Sequence, residues 1–570
     1  MTSNFLLIRT TLAFCATSIA LFSSCNDGLG PSEQYQARGS SLSFGLEPTL
    51  ALGDAIESTT TWVSAFICRE DLGQPDVPDR IFDMRTGWQV SMPSQLVFEF
   101  PATTRTRFLS TAVMPTLGQD ATAHCEVFWQ DSSDQPQSIF STQTQGNQGW
   151  QEMLAPLPQT AGKLICITRA VNQQTISSEQ RVGWALPLVA EKEFVSASTK
   201  PDVLLLSVDT LRSDALAHMP LLSARLKMGA VWHQAISPSN WTLPSYASLF
   251  SALPATQHGA GRGAFAPVEN KVNNKKYRAI HDGIPLLSEA FQRAGYFTSL
   301  VYQNPFLEKW TGLHRGFHRS IRIRDRTALT IKASKNIWQQ TPDRPRFLVA
   351  QFIAPHHPYA PIGVLGLPDD PIAELDLPPF IDSDATPDQR AAFFDLDIHA
   401  QQNVRTLYYA ECRELDKQLD PWLTELANGP RPLLIAFHSD HGEELWDEGS
   451  FEHGHSFADS VIRVPIALLW PGHVPVSSSS KAVPAWALGP TMLQLAGIAL
   501  PSEWDLNLFE PASLPAEVPC TGTLYRARRG GRIFHPDGTT IDLPFRGLGT
   551  TGPEADLGED GAQFLEQLGY

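Results

Sequence analysis

Residues 433–472 read LLIAFHSDHGEELWDEGSFEHGHSFADSVIRVPIALLWPG and concentrate ligand-type side chains between two apolar runs. The run LLIAF delivers His438, Ser439, Asp440 and His441, and a second cluster, His453 and His455 in HGHS, precedes RVPIALLW. A buried strand with an Asp-His pair at its carboxyl end is how open α/β sheets build metal and phosphate sites. Two upstream segments carry matching chemistry. In PDVLLLSVDTLRSDAL (201–216), an apolar strand runs into Asp209, with Thr210, Arg212 and Asp214 behind it. In SPSNWTLPSYASLFSALPATQHG (237–259), Thr242 stands at a helix start just before Pro244. A hydroxyl there sits in the positive field of the helix N-terminus, which lowers the cost of an alkoxide and of an anionic ester beside it. Taken singly, Asp209 and Thr242 read as ordinary helix-capping residues. Together the segments describe a reaction. A divalent cation held by carboxylates, imidazole and the threonine oxygen lowers the hydroxyl pKa. The alkoxide attacks phosphorus or sulfur in line and leaves an ester on Thr242. A histidine protonates the departing oxygen.

Elements that could position these groups are legible from 203 onward. Apolar strands VLLLSV (203–208), YFTSLVYQ (296–303), FLVAQFI (347–353), LLIAF (433–437) and VPIALLW (464–470) alternate with segments of helical spacing, 284–295 and 408–426. That alternation predicts a mainly parallel sheet covered on both faces. Residues 41–195 instead carry short strands such as QLVFEF (95–100), TRFLSTAV (106–113), HCEVFWQ (124–130) and KLICITRAV (163–171), bounded by turn residues. They predict a β-sandwich of jelly-roll type. Residues 196–202 read as a linker, the Pro-rich stretch 355–380 as a functional lid, and 511–570 as a small appendage. HRGFHRSIRIRDR (314–326) reads as an edge strand with a solvated basic face. Asp447, Glu448 and Glu452 read as exposed loop acids.

At 570 residues the chain needs two or more domains, and 42% hydrophobic with 18% charged residues fits a packed globular protein. A net charge of −17 excludes nucleic-acid backbone binding as the main task. Residues 1–24 are apolar, with Arg9 their one charge, and end LFSSC. Two small residues before Cys25 resemble the lipobox of bacterial lipoproteins. The resemblance implies a mature chain beginning at Cys25, lipid-anchored in the cell envelope and facing the periplasm or the surface, with 25–40 as a tether. Beyond Cys15 and Cys25, five of the seven cysteines remain, an odd number that yields no complete disulfide framework. An oxidising compartment permits a bridge such as Cys125–Cys166.

The order of these motifs is specific: Asp after the first strand, Thr at a helix start, PHHPY (355–359) after a central strand, then Asp-His, HGH and RVP. It resembles the sulfatase branch of the alkaline phosphatase superfamily over about 200–500. The resemblance implies an alkaline-phosphatase-like α/β sandwich. It makes Asp209, Asp440 and His441 metal ligands, Thr242 the nucleophile and a further ligand, and His356 a ligand of the substrate anion. His453 and His455 would bind ester oxygens or protonate the leaving group, and Arg212 would steady the anion or the nucleophile. The order of strands in 41–195 likewise resembles galactose-binding-like jelly rolls appended to bacterial hydrolases.

Departures from the family pattern shape the expectation. Sulfatases mature a Cys or Ser in C/S-x-P-S-R to formylglycine; here the string is Thr242-Leu-Pro-Ser-Tyr246, and threonine, whose β-carbon bears a methyl, cannot give that aldehyde. The second acid of the family's Asp-Asp pair is Thr210, the Asp of its DPHxPY is Ala354, and its LYDE is Phe457-Ala458-Asp459-Ser460. The resulting expectation is a metal-dependent hydrolase of sulfate or phosphate esters acting through Thr242, with calcium, magnesium, manganese and zinc all compatible. Its substrate would be an anionic ester, with a glycan or a lipid as the organic part. Two alternatives stay open: a phosphoglycerol or phosphoethanolamine transferase, and a catalytically inert, glycan-binding surface protein.

Overall fold

The structure, a computed structural model, describes residues 41–543 apart from several segments, the longest being 69–78, 172–180, 263–276, 361–396 and 522–530. The signal, Cys25 and its tether, most of the expected lid, and His455 lie outside the described residues. Among the described residues, no helix is long and apolar enough to cross a membrane.

Strand β1 (Asp79–Val90) belongs to the β-rich part, and β2 (Asp202–Val208) opens the α/β part. Then come β3 (Ala230–Ile236), β4 (Phe297–Tyr302), β5 (Arg319–Ile323), β6 (Arg346–Phe352), β7 (Leu433–Ser439) and β8 (Arg463–Leu469). Their order in space is β1-β5-β4-β6-β2-β7-β8-β3. The run from β5 to β7 is parallel throughout, and β8 is antiparallel to both of its neighbours. All seven positions of β2 are buried, as a central parallel strand requires. Its alternating side chains split the apolar run between two cores. Leu204, Leu206 and Val208 pack with helices α1 (Pro220–Leu226), α4 (Thr327–Gln340) and α5 (Ile398–Ala427). Val203 and Leu205 pack with α2 (Thr242–Ser251), α3 (Leu287–Arg293) and α6 (Leu488–Leu495). The sheet is therefore covered on both faces, as its sequence pattern implied.

The β-rich part forms two sheets. One has five antiparallel strands, and the facing one carries β1. Trp88, Leu96, Phe98, Trp129, Trp150 and Trp184 fill the core. β1 pairs antiparallel with β5, so the sheet that carries it continues into the α/β part as one fifteen-stranded sheet, and most of the expected linker lies outside the described residues. The expectation for 314–326 is corrected at the same place. Arg319–Ile323 is buried at all five positions and flanked on both sides, so it is neither an edge nor solvated. Arg319 donates to both carboxylate oxygens of Asp83, at 3.1 and 2.6 Å, and Arg85 donates to the same two oxygens. Arg322 pairs with Glu308. Counter-ions in place of water make buried arginine tolerable.

Cys125 and Cys166 are buried thiols with no bridge between them. They lie on adjacent strands, where Cys125 faces Thr168 and Cys166 faces Val127. The appendage contributes a three-stranded antiparallel sheet. Its Val518, Cys520 and Phe534 pack on Ile236, Phe457 and Trp486, beside the loops that carry the site.

Candidate active site

The carboxyl ends of β2, β4, β6 and β7 converge on one buried cluster. Asp209 leaves β2 with its N–H bonded to the carbonyl of Phe352 at the end of β6. Thr210 follows in the left-handed region, φ 50°, a strained conformation for a β-branched residue. Tyr408 of α5 holds that turn: its hydroxyl donates to the Thr210 carbonyl and accepts from the Arg212 N–H. At the end of β7, Ser439 and Asp440 lead into Gly442, where a Cβ would stand 2.0 Å from the Ser460 carbonyl. Only glycine allows that approach. Thr242 is the first residue of α2, which is buried along its whole length.

Asp209, Asp440 and His441 are all fully buried, and their ligand atoms lie within 4.8 Å of one another. Each carboxylate has one oxygen saturated and one bare. Asp209 Oδ2 accepts from Asn304 Nδ2 at 2.7 Å and Gln351 Nε2 at 3.2 Å. Asp440 Oδ1 accepts from the N–H groups of Thr210 and His441. Asp209 Oδ1 and Asp440 Oδ2 are buried without a hydrogen-bond partner. His441 Nδ1 faces the Gly442 carbonyl at 3.0 Å. A carbonyl only accepts, so Nδ1 carries the proton and Nε2 presents a lone pair. Nε2 lies 3.7 Å from Asp209 Oδ1, 3.5 Å from Asp440 Oδ2 and 3.2 Å from Thr242 Oγ1. Two bare buried carboxylate oxygens and an imidazole lone pair around one point fit a divalent cation. Burial and then the charge of Asp440 push the Asp209 pKa well above the aspartate range, and burial raises Asp440 despite His441 and the N–H donors. Those are the conditions a cation relieves.

Beside this cluster runs a row of imidazoles. His453 lies 4.3 Å from His441 and 5.1 Å from His356, ring centre to ring centre. His453 Nδ1 contacts Glu443 Oε1 at 2.9 Å, and the Tyr359 hydroxyl donates to Glu443 Oε2 at 3.3 Å. Burial pushes Glu443 up to about 6. Burial and His453 hold His356 down at about 3, so His356 is a neutral ring whose Nδ1 donates to the His357 carbonyl.

The structure thus brings together Asp209, Thr242, Asp440, His441, His453 and His356. Arg212 behaves otherwise. All five of its N–H donors are engaged, by Asp214, Asp447 and the Glu443 carbonyl. It ties the 209–214 turn to the 443–447 loop instead of holding an anion. Glu452, read as an exposed acid, is buried and lies 3.3 Å from His357 Nδ1. Asn304, Gln351 and Glu443 are site residues that sequence reasoning missed. Asn304 had a signal, an Asn-Pro pair directly after an apolar strand. Gln351 lies inside its strand, where nothing sets it apart from a structural polar residue.

The model of the sulfatase family matches residues 201–498, just over half of the chain. This chain belongs to the sulfatase family. It is 31% identical to bovine (Bos taurus) arylsulfatase K over 176 residues, 29% of this chain and 31% of that protein. It is also 31% identical to the mouse (Mus musculus) arylsulfatase K over 102 residues, 18% of each chain. The matches span less than a third of these curated relatives. Among solved structures, a Bacteroides thetaiotaomicron putative sulfatase aligns with TM-score 0.45 and 17% identity, over 65% of this chain and 90% of that one. A phosphonate monoester hydrolase from Silicibacter pomeroyi aligns with TM-score 0.44 and 19% identity, over 65% and 94%. The matched span contains every candidate site residue from Asp209 to His455.

Proposed function

We propose that the chain is a lipid-anchored, metal-dependent hydrolase of sulfate or phosphate esters, anchored in the bacterial envelope through Cys25, with Thr242 as its nucleophile. The observation that carries this reading is the convergence of Asp209 Oδ1, Asp440 Oδ2 and His441 Nε2 on the Thr242 hydroxyl. Thr242 Oγ1 lies 3.2 Å from His441 Nε2 and accepts from Asn304 Nδ2 at 3.5 Å. Asp209, Asp440, His441 and Thr242 would hold the metal. When bound, a divalent ion supplies Lewis acidity, lowering the pKa of the hydroxyl and offsetting charge that develops on the ester. The protein does the rest. The N-terminus of α2 favours negative charge at Thr242 and on the ester beside it. Thr242 Oγ1 attacks sulfur or phosphorus, forming one ester bond as the bond to the alcohol oxygen breaks. Glu443 fixes the His453 ring through Nδ1, and the other ring nitrogen delivers a proton to the departing oxygen. His356 stands in the same row with Nδ1 on the His357 carbonyl, and the charge of the substrate anion would favour its imidazolium form, whose Nε2–H donates to an ester oxygen. Water, deprotonated by the same histidine, then cleaves the Thr242 ester and regenerates the enzyme.

The threonine extends the substrate range beyond sulfate. Formylglycine-hydrate chemistry needs an aldehyde that threonine cannot provide, whereas direct attack by an alkoxide serves phosphate mono- and diesters and phosphonate esters equally. Purified protein should be assayed side by side on aryl sulfate, phosphomonoester, phosphodiester and phosphonate ester, with manganese, zinc, magnesium or calcium added. The expected result is metal-dependent turnover that Thr242→Ala abolishes, with a sulfuryl or phosphoryl adduct on the Thr242 peptide. Turnover that survives Thr242→Ala overturns the mechanism. Lipid labelling that persists in Cys25→Ser overturns the anchor.

A further inference from the structure

We infer that the Asp209–Thr242–Asp440–His441 site selects a transition-metal dication of the zinc or manganese class over calcium. This rests on the metal-dependent reading above and deepens it. The protein can turn few oxygen atoms toward the ion. Asp209 offers Oδ1 alone, because Oδ2 is held by Asn304 and Gln351. Asp440 offers Oδ2 alone, because Oδ1 is held by the N–H groups of Thr210 and His441. Neither carboxylate can chelate through both oxygens without breaking two hydrogen bonds.

The two neighbouring amides are turned the wrong way to add more. Asn304 Oδ1 accepts from the Phe306 N–H, so its NH2 group points at Asp209 and Thr242. Gln351 Oε1 accepts from the N–H groups of residues 303 and 304, so its NH2 group also points at Asp209. Each amide is fixed by backbone N–H donors on its oxygen. Residue 210, adjacent to Asp209, is a threonine and brings no carboxylate. Among the described residues, Asp209, Asp440, Thr242 and His441 supply three oxygens and one imidazole nitrogen.

That donor set divides the metals. Calcium takes six to eight oxygens and gains affinity with carboxylate number and bidentate binding. Magnesium also prefers oxygen and retains water. Zinc is satisfied by about four ligands, accepts imidazole readily and binds monodentate carboxylate. Manganese tolerates the same mixture, and imidazole raises affinity along the first-row series. The fixed Nδ1–H···O=C bond of His441 orients the nitrogen for such an ion.

The test is metal binding to chelator-stripped protein, read by calorimetry and by melting temperature, with zinc, manganese, magnesium and calcium each added alone. Zinc or manganese should bind at least about tenfold tighter than calcium. His441→Asn should weaken zinc or manganese by about tenfold or more while changing calcium little. Asn304→Ala, which releases Asp209 Oδ2, should narrow the gap between the two classes. Calcium binding as tightly as zinc and manganese overturns the selectivity, as does a His441→Asn protein that keeps its zinc affinity. Protein that melts cooperatively yet binds none of the four ions overturns both the selectivity and the metal-dependent reading beneath it.

Discussion

Two places that bury carboxylates completely treat the charge in opposite ways. At the seam between β1 and β5, Asp83 is met by Arg85 and Arg319. Burial alone would raise its pKa, but the charges and hydrogen bonds of the two arginines overcome that and hold it below the aspartate range. At the carboxyl ends of β2 and β7, Asp209 and Asp440 have no such partners. Burial and mutual repulsion raise the Asp209 pKa instead, and one oxygen of each carboxylate is left bare. The seam is complete as built. The site is left with a deficit that a bound cation would relieve, as the proposed function requires. A buried carboxylate is therefore no sign of function in itself; what it lacks is the sign.

Removing the charge should separate the two. Asp209→Asn and Asp440→Asn are expected to lower kcat/KM by about a thousandfold or more, because they delete ligands that act only with the metal. The same variants should make the metal-free protein more stable, by about 1–3 kcal/mol in denaturant unfolding, since an uncompensated buried charge is gone. Asp83→Asn should do the reverse. Breaking a buried pair costs about 3–5 kcal/mol, while kcat/KM per folded molecule stays near wild type. If Asp209→Asn destabilises the metal-free protein as much as Asp83→Asn does, the comparison fails. A smaller effect is expected from metal itself. At a hundredfold excess over Kd, the wild type should gain about 2.7 kcal/mol of stability, and Asp440→Asn should gain none.

His453→Ala is expected to lower turnover by about a hundredfold on alkyl esters. The loss should be much less on 4-nitrophenyl esters, whose leaving group needs no proton. Glu443→Gln, which keeps an acceptor for the ring nitrogen, should fall between wild type and Glu443→Ala on alkyl esters. Equal losses on good and poor leaving groups would show that this pair only supports the fold.

The parts of this design legible in the sequence were those written in local pattern. Strands such as VLLLSV and LLIAF announce themselves by unbroken apolar runs, and Asp209, Asp440 and His441 stand at their ends, where a doubly covered sheet opens. The seam was hidden because its logic is not local. Arg319 and Arg322 alternate with apolar residues as a solvated edge strand would, and their true partners are Glu308 and, more than 230 residues away, Asp83. Gln351 was hidden for a related reason. Its role depends on Asn304 and Asp209 arriving from two other strands. Arg212 erred in the other direction. Its place behind Asp209 suggested anion binding, but Asp214 and Asp447 use its donors first.

Acid gives the finest test of the contrast. Asp83 has a lowered folded-state pKa, so its contribution to stability is fully present above the ordinary value near 3.8 and is lost as pH falls below it. Asp209 has a raised pKa, so in metal-free protein its charge costs stability at neutral pH, and that cost is relieved as pH falls through the raised value. Denaturant unfolding of metal-free wild type and Asp83→Asn between about pH 6 and pH 3 isolates the seam. The difference between them should shrink on acidification to about pH 3 by up to about 1 kcal/mol. If Asp83→Asn proves too unstable to measure, Arg85→Gln leaves Arg319 in place and should show the same convergence at half scale or less. A constant difference down to about pH 3 would mean that Asp83 carries no ionic stabilisation. The seam would then be held by strand pairing and by the Trp150 indole, which donates to the Asp83 carbonyl at 2.9 Å.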